Sequence, residues 1–317
     1  MRTTILGRTG IEVTEFCFGA LPMGPTQADI PLHAASELIR KALNEGINFI
    51  DTAEGYKTYP HIREALKGFE GKAVIATKSP VSSYEDMQRS VQMALDELQL
   101  PCIDIFHLHA PRATRTVFAE RAGAFQCLID YKEKGKIRAV GISTHVVETV
   151  YAALERSDID VIFPLINKAG LGIIDGTVED MARAIRAAAE AGKGVYAMKA
   201  LAGGHLIDDV EDALNFVRNL PGVMSVAVGV VSLQELEYDL RVFRNQVVPE
   251  ELKARCRRET KKLVIIRNAC RGCGTCVETC PNGALYLEGD KVSVDRERCI
   301  LCGYCNPVCP EFALRLA

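Results

Sequence analysis

The chain has no tryptophan among its 317 residues, and its aromatics together make up only 6%, so no indole is available to line a pocket. It also lacks a dominant charge. Its 38 Lys and Arg stand against 41 Asp and Glu, a net charge of −3, which leaves no electrostatic footprint for nucleic acid or an anionic membrane. No apolar run is long enough to cross a bilayer. The N-terminus, Met1-Arg2-Thr3-Thr4, reaches Gly7 and Gly10 without the apolar core of a signal peptide, and reads as that of a cytoplasmic protein. The rest is ordinary: 48% hydrophobic and 25% charged residues suit a globular protein. The length fits one large domain with a small companion.

Cysteine is the exception. Of twelve, Cys17, Cys102, Cys127 and Cys256 stand singly and read as small buried hydrophobes. The other eight fall between positions 270 and 309, and in a reducing compartment such density points to metal rather than disulfides. One run is Cys270-Arg-Gly-Cys273-Gly-Thr-Cys276-Val-Glu-Thr-Cys280-Pro281, and the other is Cys299-Ile-Leu-Cys302-Gly-Tyr-Cys305-Asn-Pro-Val-Cys309-Pro310. Both read C-x2-C-x2-C-x3-C-P, the spacing of bacterial two-cluster ferredoxins, in which the fourth cysteine ligates the other cluster. The expected ligand sets are therefore Cys270, Cys273, Cys276 and Cys309 for one [4Fe–4S] cluster, and Cys299, Cys302, Cys305 and Cys280 for the other. Zinc knuckles pair two C-x2-C turns and need neither the third cysteine nor the C-P of each run. Between the runs, residues 283–295 read as a hairpin turning at Gly289-Asp290. A domain this short depends on its clusters for stability.

Ahead of it, apolar runs alternate with amphipathic helices. Expected strands are Phe16–Ala20, Asn48–Thr52, Ala73–Thr77, Ile103–His109, Ala139–Ser143, Val161–Ile166, Val195–Lys199 and Ser225–Val230. Ser82-x-x-Glu85 offers a capping box after the third strand. Val91, Ala94, Leu95 and Leu98, like Met181, Ala184, Ile185 and Ala188, fall on one helical face, with Gly192 as a stop. Eight such units fit an α/β (β/α)8 TIM barrel. A doubly wound sheet competes, but no G-x-G-x-x-G follows the first strand. The expected division is a barrel over 1–245, a helical linker over 246–263 and a small α+β ferredoxin-like two-cluster domain over 264–317. The linker's Val248-Pro-Glu-Glu-Leu-Lys-Ala-Arg-Cys-Arg-Arg-Glu-Thr-Lys-Lys262 reads as a basic helix, either solvated or facing an acidic partner.

Barrel enzymes carry their catalytic groups at the C-terminal ends of the strands. There Asp51 ends the second strand, Tyr56 follows it, Lys78 ends the third and His109 ends the fourth. His107, two residues earlier, shares the strand face of His109 and reads as a hydrogen-bonded interior residue or the extension of a proton relay.

Asp51-Thr-Ala-Glu-Gly-Tyr56, Ala76-Thr-Lys78, Asp104-Ile-Phe-His-Leu-His109-Ala-Pro and Gly141-Ile-Ser-Thr resemble the aldo-keto reductase signatures, as do Leu6-Gly-Arg-Thr-Gly10 and Gly203-Gly204. The whole resembles members of that family with a C-terminal ferredoxin domain. The resemblance implies Tyr56 as general acid, Lys78 as the cation lowering its pKa, Asp51 as partner of Lys78, and His109 as hydrogen-bond partner of the substrate oxygen. The implied substrate is a small carbonyl compound or alcohol.

The resemblance weakens where the family binds nicotinamide. Thr144, Phe163 and Met198 stand where it has asparagine, glutamine and a stacking tyrosine, and Glu235 stands where an arginine grips a 2′-phosphate. Ser143, Asn167, Lys199 and Gly229 remain as candidate cofactor contacts. NAD(P)H delivers hydride, whereas each cluster passes single electrons. A flavin accepts both modes, so the barrel's cofactor is either a nicotinamide or a flavin. Three functions follow: a carbonyl–alcohol oxidoreductase exchanging electrons with a carrier protein through its clusters, a nicotinamide-only reductase with structural clusters, or a non-catalytic electron-transfer module.

Overall fold

A computed structural model of the protein describes residues 1–25, 27–256, 262–311 and 313–316. The chain opens with a hairpin that the sequence pattern does not reveal, β1 (Thr3–Ile5) against β2 (Glu12–Thr14). Its Leu6, Ile11 and Val13 pack into the barrel interior with Phe49, Ile105 and Tyr196, closing the floor. Gly7 makes the close approach possible: at φ +55, a Cβ there would lie 2.2 Å from the Gly194 nitrogen.

Eight strands follow: β3 (Phe16–Gly19), β4 (Phe49–Asp51), β5 (Val74–Ser79), β6 (Ile103–His109), β7 (Ile137–Thr144), β8 (Val161–Pro164), β9 (Gly194–Met198) and β10 (Ser225–Gly229). All neighbours are parallel, and β10 pairs with β3 to close the barrel. Buried on both faces, the strands read as near-continuous apolar runs. Alternation sends Ile105, Ala139, Val161 and Phe163 inward, while Phe106, Val140 and Ile142 face the helical ring. The helix Tyr84–Leu98 buries Val91, Ala94, Leu95 and Leu98, and Val178–Glu190 buries Met181, Ala184, Ile185 and Ala188. The expected Ser82–Glu85 box is displaced by one residue: Ser83 caps Asp86 instead. Ser82 spends its carbonyl on the Ala124 nitrogen.

After the helix Leu233–Phe243, the expected basic helix runs only over Glu250–Arg255; its continuation at 257–261 lies outside the described residues. The small domain pairs β11 (Leu263–Ile265) with the terminal β14 (Leu314–Leu316), and β12 (Leu285–Glu288) with β13 (Lys291–Val294). The β12–β13 turn falls at Gly289-Asp290, as the residue pattern implies.

Candidate active site

The mouth lies where β4, β5 and β6 end. Lys78 is 1% exposed, and its Nζ donates to Asp51 Oδ2 at 2.7 Å and to the Thr52 carbonyl at 2.7 Å. The same Nζ lies 4.8 Å from the centre of the Tyr56 ring and 5.1 Å from that of Phe163. Tyr56 ends the short turn Glu54–Tyr56, which is pinned by a 2.7 Å bond between the Thr52 and Thr58 hydroxyls. Asp51 also accepts from the Tyr196 hydroxyl at 3.0 Å, and that hydroxyl lies 2.7 Å from His107 Nε2. A buried chain, His107–Tyr196–Asp51–Lys78, therefore runs up the barrel axis. His107 is a hydrogen-bonded residue of the barrel interior, the first of its two expected readings.

Burial pushes Asp51 up and Lys78 down, each opposed by the partner's charge. The shift of Tyr56 is the reverse of the one expected. Burial, then Tyr304 and Asp51, push its phenol well above the ordinary value. Lys78 sits over the ring face and gives its hydrogen bonds to Asp51 and Thr52, so Tyr56 is held as a neutral donor.

The second cysteine run sits over this mouth. His205 Nε2 bonds the Cys299 carbonyl at 2.7 Å, Arg112 donates to the Cys280 carbonyl at 2.6 Å, and Gln27 reaches the Cys302 carbonyl at 3.4 Å. Gly203 is required here, because at φ +70 a Cβ would lie 1.9 Å from the Ile300 oxygen. Between Cys302 and Cys305, Tyr304 points into the barrel. Its hydroxyl is 3.2 Å from His109 Nε2, and the rings meet edge-on with centroids 5.8 Å apart.

The eight thiols fall into two groups. Cys270, Cys273, Cys276 and Cys309 line one small cavity with Gly272 and Gly274. The thiols acting most strongly on Cys305 are Cys302, Cys299 and Cys280. The fourth cysteine of each run thus joins the other run's group. Cys273 is exposed. Of the lone cysteines, Cys17 and Cys127 are buried, while Cys102 and Cys256 are half-buried.

A family model described as the aldo/keto reductase family matches residues 15–216. The chain belongs to the aldo/keto reductase family. A 4Fe-4S dicluster domain model matches residues 269–313, so this aldo/keto reductase carries two [4Fe–4S] clusters, and the two thiol groups suit them in number and chemistry. L-galactose dehydrogenase of Arabidopsis thaliana is 28% identical over 217 residues, 64% of this chain and 66% of that one. Pyridoxal 4-dehydrogenase of Microbacterium luteolum is 24% identical over 80% of this chain and 96% of its own. Among solved structures, PA4992 of Pseudomonas aeruginosa is 25% identical with a TM-score of 0.67, covering 77% of this chain and 94% of that one. AKR11C1 of Bacillus halodurans shares the fold at 21% identity with a TM-score of 0.64, over 80% and 94%.

The reductase's mouth continues into a cavity of about 580 Å³, lined by Tyr56, Phe163, Met198, Lys199, Gly229 and Glu235 among others, with Leu301 of the dicluster domain on its rim. That is the size of a cofactor site. The candidate contacts behave differently from one another. Lys199 lines the cavity at φ +64. Ser143 Oγ is buried without a partner among the described residues, a group open to a ligand. Gly229 also lines the cavity, but its missing side chain serves packing: a Cβ would lie 2.3 Å from Pro22. Asn167 builds its own loop, donating to the Leu171 carbonyl at 2.8 Å and accepting from the Ala169 and Leu171 nitrogens. Glu235, also on the cavity wall, accepts from the Val231 nitrogen through Oε2 at 2.8 Å.

Burial, aided by Lys78, pushes His107 and His109 well below their ordinary value, and burial with Lys199 pushes His145 down to about 3. All three are neutral near pH 7. Unfolded histidine titrates near 6.5, so the stability gained by keeping them neutral is complete above that pH and is lost as pH falls toward the folded values. Urea unfolding at pH 5.5 should show roughly 4 kcal/mol less stability than at pH 7.5 from these three groups, about 1.4 kcal/mol each. His107→Gln should remove about a third of that loss.

Proposed function

We propose that this aldo/keto reductase interconverts a carbonyl compound and an alcohol at Asp51, Tyr56, Lys78 and His109, and that the electrons pass through its two clusters to or from an electron-carrier protein. The observation that carries this reading is the seating of Cys299–Cys305 over the barrel mouth, with Tyr304 bonded to His109, while Cys273 of the other thiol group is exposed. One cluster then adjoins the active site and the other adjoins solvent. Cys299, Cys302, Cys305 and Cys280 are assigned to the inner cluster, and Cys270, Cys273, Cys276 and Cys309 to the outer. The barrel is assigned to 1–245, the linker to 246–263 and the cluster domain to 264–317.

Reducing a carbonyl takes two electrons and two protons. Two reduced clusters, each giving one electron, hold what one turnover needs. Tyr56 donates the proton that ends on the substrate oxygen, and His109 hydrogen-bonds that oxygen; the hydrogen that reaches carbon would come from the bound cofactor, which takes its proton from solvent. The Asp51–Lys78 pair fixes the loop and the field around them. The cofactor assigned to the cavity is a flavin, which Phe163, Met198 and Lys199 would hold; when bound, it would supply the exchange between two-electron and one-electron chemistry. The names of the dehydrogenase relatives, one for a sugar and one for pyridoxal, are consistent with an alcohol or carbonyl substrate.

Cys273→Ser should cut viologen-linked aldehyde reduction by at least about tenfold, measured anaerobically on protein with both clusters reconstituted. Under the rival nicotinamide-only reading, NAD(P)H-linked turnover exists and survives the substitution unchanged. Denaturing the loaded wild-type protein should release flavin; release of nicotinamide alone would refute the cofactor assignment.

A further inference from the structure

We propose that Tyr304, contributed by the cluster domain, is a specificity-determining residue of the barrel's active site, its phenol holding the position that a substrate oxygen must take. The proposal rests on the reading that Tyr56 and His109 bind that oxygen. Both groups meet Tyr304: His109 Nε2 is 3.2 Å from its hydroxyl, and Tyr56 lies beside it, close enough for the two phenols to act on each other. A phenol oxygen between an acid and an imidazole presents the same acceptor that a carbonyl oxygen would.

The loop is built to aim this side chain. Leu301 at φ +50 and Gly303 at φ +81 stand on either side of Cys302. A leucine in the left-handed region is strained, so the turn is held by its surroundings. The His205 bond to Cys299, the Gln27 bond to Cys302 and the contact of Gly203 with Ile300 hold it. The cysteine spacing needs only that residue 304 leave room for a cluster, yet this ring reaches a strand 195 residues earlier in the chain.

A tethered hydroxyl competes with a free one at high effective concentration. A small aldehyde, offering only an oxygen where Tyr304 already places one, cannot displace it. A larger compound can, because the rest of it gains contacts with the part of the cavity lining that the cofactor leaves free. The substrates are therefore carbonyl compounds or alcohols with a body filling part of that cavity, and two- or three-carbon aldehydes are rejected.

The probe is p-cresol, the tyrosine side chain in free form, titrated calorimetrically into the full-length protein with both clusters confirmed by visible absorption. Wild type should show no saturable binding at millimolar concentrations. Tyr304→Ala should bind at least about tenfold more tightly, and adding Tyr56→Phe or His109→Asn should take most of that gain away. If Tyr304→Ala loses its clusters, Tyr304→Leu is read in the same way. Equal binding by wild type, no binding by either open variant, or binding indifferent to Tyr56 and His109 each overturns the proposal. These are equilibrium readings, so they stand apart from the turnover of Tyr56→Phe, which tests the catalytic assignment.

Discussion

Tyr56→Phe should lower carbonyl turnover by about 10²- to 10⁴-fold, the usual worth of a positioned acid, while the visible absorption of both clusters stays unchanged. The substitution removes one oxygen and keeps the ring, so the contact of Lys78 with the ring face survives. What is lost is the neutral hydroxyl that burial maintains. The effect should fall on kcat rather than KM, because protonation of the oxygen develops in the transition state. It should be equally large whether electrons arrive from a viologen dye or from a carrier protein, since both routes end at the same oxygen. Single-turnover rates with a panel of aldehydes and ketones provide the measurement. An unchanged rate would mean that the barrel is a scaffold and that its intact tetrad is structural.

Lys78→Met should destabilise the fold by about 3–5 kcal/mol, because it leaves the Asp51 carboxylate buried without its counter-charge. Lys78 and Asp51 are both almost fully buried, and the ammonium also satisfies the Thr52 carbonyl. Asp51→Asn together with Lys78→Met should recover a large part of the loss, since the uncompensated charge goes with it. Urea unfolding followed by far-ultraviolet circular dichroism separates these cases. Equal losses in the single and double variants would show that packing, rather than charge, sets the cost. Activity should be absent from both, because each lacks the Lys78 ammonium that ties Asp51 to the Thr52 carbonyl below the Tyr56 turn.

The barrel was legible because its strands are buried on both sides. Ile103–His109 stands where its apolar run stands, and the helices face inward on the residues whose spacing shows it. The tetrad was legible because strand ends are few and these end in ionisable groups. The opening hairpin was not, since two three-residue strands leave no period to detect. Tyr304 was hidden for a different reason: cysteine spacing identifies ligands and says nothing about where the residue between them points. An aromatic inside C-x2-C was the available signal. Tyr196 was hidden within an apolar run, where its hydroxyl was the one polar mark. The Tyr56 shift was misread because pairing a lysine with a tyrosine ignores the aspartate that claims the lysine first. Asn167 was misread because a polar residue after a strand serves a turn as readily as a ligand.

The most direct measurement starts from the fully loaded protein with both clusters reduced by a limited amount of dithionite under argon and no nicotinamide present. A carbonyl compound of more than three carbons is then added, and the visible absorption of the clusters is followed alongside alcohol formation. The expected result is reoxidation of both clusters with one alcohol formed for every two electrons lost, abolished by Tyr56→Phe. Clusters that stay reduced while alcohol appears only after NAD(P)H is added would contradict it.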